Sequence, residues 1–360
     1  MSTTTARPAA DTGTRVPVRE AAAPLRGMAP ERKRAAWLAA AVVVLVLMAG
    51  ASLAVGARDV PLGTVWQALA AFDPANGDHA VVQARIPRTV LGLLAGGALG
   101  LAGAAMQGVA RNPLADPGII GVNAGAALAV VTGIYVFSVT GFSGYVWFAF
   151  LGAATAAVVV YLIASLGREG ATPVKLALAG AALSAGLSSL MNVILVSSQD
   201  TLDRFRFWQV GGIAGRDWSV LLPGLPFLAA GALIVLLSGR ILNSLALGDD
   251  TARGLGQRVG AARAVTALGI VLLCGTATAL AGPIGFVGLV VPHAVRFLTG
   301  PDYRWILPFS LAAAPALLLA ADIAGRVVLL PGEVPAGIMT ALVGAPVFVW
   351  LVRRGKGTGL

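Results

Sequence analysis

Residues 85–123 read RIPRTVLGLLAGGALGLAGAAMQGVARNPLADPGIIGVN. This stretch contains an apolar segment with a basic residue at each end, Arg88 and Arg111. Small residues recur within it at every fourth position, which places them on one face of an α-helix. In membrane proteins such a face lets two helix backbones approach closely. The pattern therefore predicts a membrane helix that packs on other helices through Gly92, Gly96, Gly100, Ala104 and Gly108.

The segment after this helix contains two prolines. Asn112–Pro113 and Asp116–Pro117–Gly118 have the turn chemistry that ends one helix and begins another. An ordinary connection between two membrane spans explains the pattern as well as a protein-covered hinge that takes part in gating. The sequence leaves both interpretations open.

The composition indicates a membrane protein. Of the 360 residues, 57% are hydrophobic and only 12% are charged, and the mean hydropathy is +0.84. Soluble domains have roughly 25% charged residues. Cys274 is the single cysteine, which excludes a disulfide or a cysteine-based metal site within one chain. No motif predicts a metal or a cofactor.

Ten apolar runs are close to the length that crosses a bilayer, about 20 residues. The sequence therefore predicts an all-α membrane protein with ten spans. The eighth run is short and follows Gly282–Pro283, which indicates a tilted or partial span. We expect the spans at approximately residues 35–56, 89–110, 118–138, 145–166, 173–196, 220–239, 264–282, 284–298, 305–325 and 334–352.

The distribution of basic residues predicts the orientation in the membrane. If the N-terminus is cytoplasmic, most of the 26 Lys and Arg residues fall on the inner side, as the positive-inside rule requires. The net charge of +10 then reflects membrane orientation, and we expect no nucleic-acid partner. We expect a multi-pass protein of the cytoplasmic membrane, with a disordered cytoplasmic tail at 1–34, a transmembrane domain at 35–354 and a cytoplasmic tail at 355–360.

Two outer segments are long enough to have structure of their own. Val60–Phe72 has the pattern of a short amphipathic helix, and His79 is expected in a solvated turn soon after it. Residues 197–219 carry charged and aromatic side chains that are typical of an interfacial ledge.

The longest inner connection runs from Arg240 to Arg263 and predicts two short helices within about residues 242–258. Asn243 or Ser244 is expected to cap the first helix, and Gly248 to break it before Asp249–Asp250 begin the second. Two short helices at the cytoplasmic surface indicate a docking element for a soluble partner.

No set of catalytic residues is apparent, and the sequence predicts that the chain is not an enzyme. It contains neither a G-x-x-x-x-G-K-[ST] phosphate loop nor an H-E-x-x-H motif. Asp322 and Arg326 are four residues apart, which predicts a structural ion pair on one helix. A transporter coupled to protons or sodium is an alternative, but it needs ionisable groups at mid-membrane. Apart from His293, the predicted spans have almost none.

The fifth span carries a mildly polar, uncharged stripe. Hydrogen bonding between helices is one explanation. The other is the wall of a wide passage in which no strong site traps a bulky substrate. The stripe consists of Gly180, Ser184, Ser188 and Asn192.

Several segments together resemble a known family. The opening stretch, continued to RIPRTVLGLLAGGALGLAGAAMQGVARNPLADPGIIGVNAGA, looks like the signature of permeases of type II ABC importers for iron–siderophores, haem and cobalamin. The later segments LALGDDTARGLG, AGPIGFVGLVVPHAVR and LLLAADIAGRVVLLPGEVPAGIMTALVGAPVFVWL are similar to the same family and follow in the same order. The resemblance covers about residues 35–354.

This resemblance implies ten helices per subunit, a second permease subunit, two cytoplasmic ABC ATPases and an extracytoplasmic substrate-binding protein. It implies an iron(III)–siderophore substrate, with cobalamin or haem as the alternative. Whether the two permeases are identical stays open. By position, the family's outward-facing arginines, which pair with glutamates of the binding protein, correspond to Arg85, Arg88 and Arg326.

The resemblance also implies two further sites. The polar stripe of the fifth span would line the translocation pathway. The segment Leu245–Gly256 would form the coupling helices that fit a cleft of the ATPase, through Leu245, Ala246, Leu247, Gly248, Asp249, Asp250, Ala252, Leu255 and Gly256.

Overall fold

The computed structural model describes residues 31–139, 141–166 and 172–355, and all regular secondary structure in these ranges is helical. The predicted tails fall largely on 1–30 and 356–360, outside the described residues. The helices are α1 (Glu31–Ala54), α2 (Leu62–Ala70), α3 (Gly77–Ala110), α4 (Val122–Phe137), α5 (Phe142–Ser165), α6 (Pro173–Ser197), α7 (Gln199–Gln209), α8 (Trp218–Leu221), α9 (Leu225–Leu237), α10 (Gly239–Ala246), α11 (Asp249–Gly254), α12 (Val259–Ala281), α13 (Val287–Thr299), α14 (Tyr303–Val328) and α15 (Ala336–Gly355), with 3-10 turns at Pro117–Ile120 and Leu222–Gly224.

The prediction of an all-α protein with ten spans agrees with these helices. Within the described residues, seven helical segments are long and apolar enough to cross a membrane: α1, α3, α5, α6, α8 with α9, α12 and α14. The shorter apolar helices α4, α13 and α15 bring the number to ten. The eighth span, α13, has 13 residues, which confirms that it is short.

Two predicted boundaries were wrong because helices extend beyond the apolar runs. Helix α1 begins at Glu31, so residues 31–34 are helical and not part of a tail. Its first-turn carboxylate interacts favourably with the helix dipole. Helix α3 begins at Gly77, where Asn76 caps it by accepting a hydrogen bond from the Asp78 amide. With 34 residues α3 is about 51 Å long, so it projects beyond the roughly 30 Å hydrocarbon layer.

The outer segment before α3 confirms one expectation and corrects another. The predicted amphipathic helix is present as α2. His79 does not lie in a solvated turn, because it belongs to the first turn of α3 and is only 5% exposed. Its Nδ1 accepts a hydrogen bond from the Asp73 amide at 3.0 Å, and its ring lies against Phe72.

The proline-containing segment after α3 consists of successive helix-capping turns. Arg111 ends α3 in the left-handed region, at φ 49°. The Asn112 side chain accepts from the Leu114 amide, and the Asp116 side chain accepts from the Gly118 amide to begin a 3-10 turn. Gly121, at φ 76°, then separates this turn from α4. The third predicted span is therefore broken near its start.

Helix α3 is the centre of the bundle and packs against α12, α13 and α14. Its glycine face meets the α14 backbone directly. A Cβ at Gly96 would lie 2.5 Å from the Pro315 Cα, and one at Gly100 would lie 2.6 Å from the Ser310 carbonyl oxygen. Farther along, a Cβ at Gly103 would collide with the Gly288 carbonyl of α13. The structure confirms the close-packing prediction.

Small residues interlock little with a neighbouring helix, and this property alone would favour sliding of α3 along α14. The contacts argue against it. Backbone meets backbone at Gly96 and Gly100 with no free space, and Arg88 of α3 forms an ion pair with Asp322 of α14 at one end of the contact. Helices α3 and α14 therefore form one packed unit.

We expect Gly96→Ala to destabilise the protein by about 1–3 kcal/mol, because the added methyl group overpacks the contact with Pro315. Gly50→Ala in α1 is the matched control, since a Cβ there has no neighbour within 4 Å. Thermal unfolding of both variants in one detergent measures the difference. Equal midpoints for the two variants would contradict the packing account.

Candidate functional site

A buried carboxylate lies at the outer end of the bundle, between two arginines. Asp322 of α14 is 1% exposed and accepts from Arg326 Nε at 2.9 Å, on the next turn of the same helix. It also accepts from Arg88 of α3, from Nε at 3.0 Å and from Nη2 at 2.8 Å. The predicted ion pair between Asp322 and Arg326 is confirmed, and it includes a third partner from another helix.

Arg326 lies inside the protein. It is 1% exposed, and its Nη1 donates to the Ser52 carbonyl of α1 at 2.6 Å. Its Nη2 donates to the Ser52 hydroxyl at 3.0 Å, and that hydroxyl also shares a hydrogen bond with Thr89. The expectation that Arg326 faces outward is thus not met in this structure, because these bonds orient its guanidinium toward α1.

Arg85 is also engaged within the chain. Its Nη1 donates to the Leu53 and Ala54 carbonyls at 2.9 Å each, and its Nη2 donates to the Arg58 carbonyl at 2.7 Å. These carbonyls belong to the end of α1 and the segment after it, where the helix leaves carbonyl groups without partners. Arg85 therefore caps α1 while its side chain stays half-buried.

Arg88 is the predicted docking arginine that reaches an exposed partner. Its Nη1 forms an ion pair with Glu333 at 2.8 Å, and the Glu333 side chain is 36% exposed. Sequence reasoning missed Glu333 because it lies 245 positions away from Arg88, in the turn between α14 and α15. The structure thus brings Arg85, Arg88 and Arg326 to one end of the bundle, with only Arg88 paired to an exposed carboxylate among the described residues.

The inner connection forms the two short helices that the sequence predicts. Gly248, at φ 108°, separates α10 from α11, and α11 begins at Asp249. The expected cap at Asn243 or Ser244 is wrong, because α10 begins at Gly239 directly after α9. Asn243 instead donates to the Asp302 carboxylate at 2.7 Å and accepts from the Tyr303 amide, which ties α10 to α14.

Some of the predicted coupling residues have buried side chains and others have exposed ones. Leu245 and Ala252 are buried and pack with Val259 and Ala262 in a small core of their own. Leu247 and Leu255 are 64% and 62% exposed. Of the predicted coupling residues, Gly248 and Asp249 are half-exposed, and the exposed ones are Ala246, Leu247, Asp250, Leu255 and Gly256.

Asp249 connects α11 to two long helices. Its carboxylate accepts from Arg263 Nη2 of α12 at 2.9 Å and forms an ion pair with Arg111 at the end of α3. Arg263 is 6% exposed, so this contact lies at the edge of the packed bundle. These two ion pairs link α11 to the end of α3 and the start of α12.

The polar stripe of α6 lies beside an exposed apolar face. Gly180 is buried, Ser184 and Ser188 are half-buried and Asn192 is exposed. Ser184 faces the Gly121 turn, since a Cβ at Gly121 would lie 3.7 Å from its Oγ. The neighbouring open face carries large apolar side chains, including Leu178, Leu190, Val193 and Val196.

The outer network yields a stability prediction. We expect Asp322→Asn to cost about 3–5 kcal/mol, because it leaves buried Arg326 without its charged partner. Asp200→Asn on α7 is the control, since its pair with Arg204 is exposed and contributes about 0–1 kcal/mol. Thermal unfolding and the yield of folded protein measure both effects. A loss for Asp322→Asn no larger than that of the control would contradict the buried network.

Comparison with known proteins is consistent with this architecture. The ferric enterobactin transport system permease protein FepD of Escherichia coli (strain K12) is 47% identical over 314 residues, which cover 87% of this chain and 93% of FepD. The Fe(3+)-citrate import system permease protein YfmD of Bacillus subtilis (strain 168) is 41% identical over 316 residues, covering 88% of this chain and 94% of YfmD.

Two further comparisons extend this result. The hemin transport system permease protein HmuU of Yersinia pestis is 35% identical over 323 residues, covering 88% of this chain and 94% of HmuU. A metal-chelate type ABC transporter solved in an inward-facing conformation has a TM-score of 0.78 at 29% identity, covering 89% of this chain and 99% of that one. Residues 41–354 match the FecCD transport family. With its helical membrane architecture, the chain belongs to the FecCD transport family of ABC importer permeases.

Proposed function

We propose that this chain is the membrane permease of an ATP-driven importer that carries an iron(III)–siderophore complex into the cytoplasm. The observation that carries the proposal is the placement of two charged sites at opposite ends of one long helix. Arg88 lies near the outer end of α3, and Arg111 at its inner end contacts the short helix α11. The names of the FepD and YfmD relatives favour a ferric chelate as the substrate.

The outer site would dock an extracytoplasmic binding protein. Arg88 is the arginine that would contact a carboxylate of that partner, because its Nη1 already holds an exposed carboxylate. Arg326 would act from behind, since it shares Asp322 with Arg88. Arg85 would hold the end of α1 beside them.

The inner site would dock a cytoplasmic ABC ATPase. The exposed leucines of the coupling segment, Leu247 and Leu255, offer apolar anchors for a cleft. When the ATPases close, they would push α11, and Asp249 would pass this motion to Arg111 and Arg263. The N- and C-termini would then be cytoplasmic, because ten spans return the chain to the side of the membrane on which α1 begins.

The pathway would form between two permease subunits. The open face of α6 is apolar over most of its length, and large exposed apolar patches mark surfaces that a partner or lipid covers. A second permease packed there would enclose the stripe of Gly180, Ser184, Ser188 and Asn192, which carries no charge that would trap a ferric complex.

Reconstituted uptake tests the function. We expect proteoliposomes containing the permease, its ATPase and its binding protein to accumulate a ferric siderophore only with ATP inside, and vanadate to abolish the uptake. Uptake that is independent of ATP, insensitive to vanadate and driven by a proton or sodium gradient would indicate a secondary transporter. That result would overturn the proposal.

Haem is the second candidate substrate because of the similarity to HmuU. The same vesicles distinguish the candidates by competition between radiolabelled ferric siderophore and excess haem or cobalamin. The proposal predicts competition by unlabelled ferric siderophore alone. Transport of haem or cobalamin in its place would overturn the proposed substrate but leave the proposed importer mechanism intact.

Asp249 yields a prediction about coupling. We expect Asp249→Asn to lower the amount of substrate transported per ATP hydrolysed by roughly tenfold, because the carboxylate no longer ties α11 to Arg111 and Arg263. Asp203→Asn is the matched control, since its ion pair with Arg206 on α7 is exposed and lies outside the coupling segment. A common ratio for wild type and both variants would show that Asp249 does not transmit the motion.

A further inference from the structure

A cavity with four charged side chains in a largely apolar lining opens beside Arg88 at the outer end of the bundle. Its volume is about 160 Å³. Phe207 of α7 and the backbone around 211–214 form one side, and the start of α15 forms another. Arg88, Arg216, Asp322 and Glu333 supply its charged lining.

The arginines of this cavity are held by different kinds of acceptor. Arg216 donates from Nε to the Leu280 carbonyl at 3.2 Å and from Nη1 to the Ala214 carbonyl at 3.0 Å. Burial lowers the pKa of Arg216 to about 9, so this guanidinium is still charged at neutral pH. Its charge adds to that of Arg88, so the lining holds two guanidinium groups against the carboxylates of Asp322 and Glu333.

The two carboxylates in the lining differ in how readily they can be displaced. Asp322 is 1% exposed and neutralises buried Arg326, so removing it would leave an uncompensated buried charge, which costs several kcal/mol. Glu333 is 36% exposed and pairs only with Arg88 among the groups described here. Water reaches this pair from the Glu333 side, and ion pairs that water reaches are weak. Glu333 is the exchangeable partner.

The backbone around Glu333 allows such an exchange. Glu333 follows Gly332 and precedes Val334, whose amide donates to the Gly325 carbonyl of α14 at 2.9 Å. This bond fixes the chain immediately after Glu333. The Glu333 side chain can therefore rotate away from Arg88 without displacing α14 or α15.

We propose that the cavity receives a carboxylate side chain of the docking binding protein, and that Glu333 occupies Arg88 until that carboxylate replaces it. The proposal rests on the docking role given to this end of the bundle under the proposed function. Glu333 is then a competitor within the chain. It weakens docking, and it returns to Arg88 when the binding protein leaves.

If Glu333 competes for Arg88, removing its charge strengthens the affinity for the binding protein. Loss of a residue with a structural role would not strengthen it. We expect Glu333→Gln to tighten binding of the purified binding protein encoded with the permease by roughly two- to fivefold, the range that an exposed pair of up to about 1 kcal/mol allows. Arg88→Gln should weaken binding. In the double variant Glu333→Gln with Arg88→Gln, removal of Glu333 should no longer tighten binding, because the contested guanidinium is gone.

The dissociation constant is measured on the permease–ATPase complex in lipid nanodiscs, with Asp200→Asn as the control for loss of an outer carboxylate from an exposed pair. Unchanged or weaker binding of Glu333→Gln, together with weaker binding of Arg88→Gln, overturns the competitor while leaving docking at Arg88 intact. Unchanged binding of Arg88→Gln overturns the docking site itself. If Asp200→Asn tightens binding as much as Glu333→Gln does, the effect comes from the net charge alone. That result also overturns the role of Glu333 as a competitor.

Discussion

Direct contact between the backbones of α3 and α14 is the constraint on which the rest of the structure depends. Gly96 and Gly100 leave no room for a side chain against Pro315 and Ser310. Because the two helices are this close, Arg88 of α3 reaches Asp322 of α14 with two nitrogen atoms. Asp322 neutralises buried Arg326 within α14, where an unpaired charge would be costly, and the charge that Arg88 adds is balanced by Glu333.

The length of α3 connects this outer network to the inner surface. The helix has 34 residues, so its ends lie about 51 Å apart. Its outer part carries Arg88, and the residue that ends it, Arg111, shares Asp249 with Arg263 of α12. A push on α11 therefore acts on a helix whose other end belongs to the outer network. In the proposed importer, this continuity would link ATP hydrolysis to binding-protein docking.

The sequence predicts those features that depend on local periodicity. Ten apolar runs predict the ten spans, and the four-residue spacing of small residues predicts the packed face of α3. The spacing of Asp322 and Arg326 predicts their ion pair, and Gly248 predicts the break between α10 and α11. Each of these patterns lies within one helix or one turn, where the geometry follows from the number of intervening residues.

Most of the missed features depend on contacts between distant segments. Arg326 turns inward because Ser52 lies 274 positions away in sequence yet beside it in space. Glu333 meets Arg88, and Asp249 meets Arg111, across similarly nonlocal packing. The early start of α3, which also buries His79, was hidden because residues 77–88 are too polar to read as part of a membrane span.

In the proposed importer, α3 and α14 would move as one unit when the ATPases close. Spin-label distance measurements test it, with labels at exposed Gln83 on α3, Val328 on α14 and Val196 on α6. The account predicts that trapping with ATP and vanadate leaves the Gln83–Val328 distance distribution unchanged and shifts the Gln83–Val196 distribution. A shift between Gln83 and Val328 as large as that between Gln83 and Val196 would contradict it.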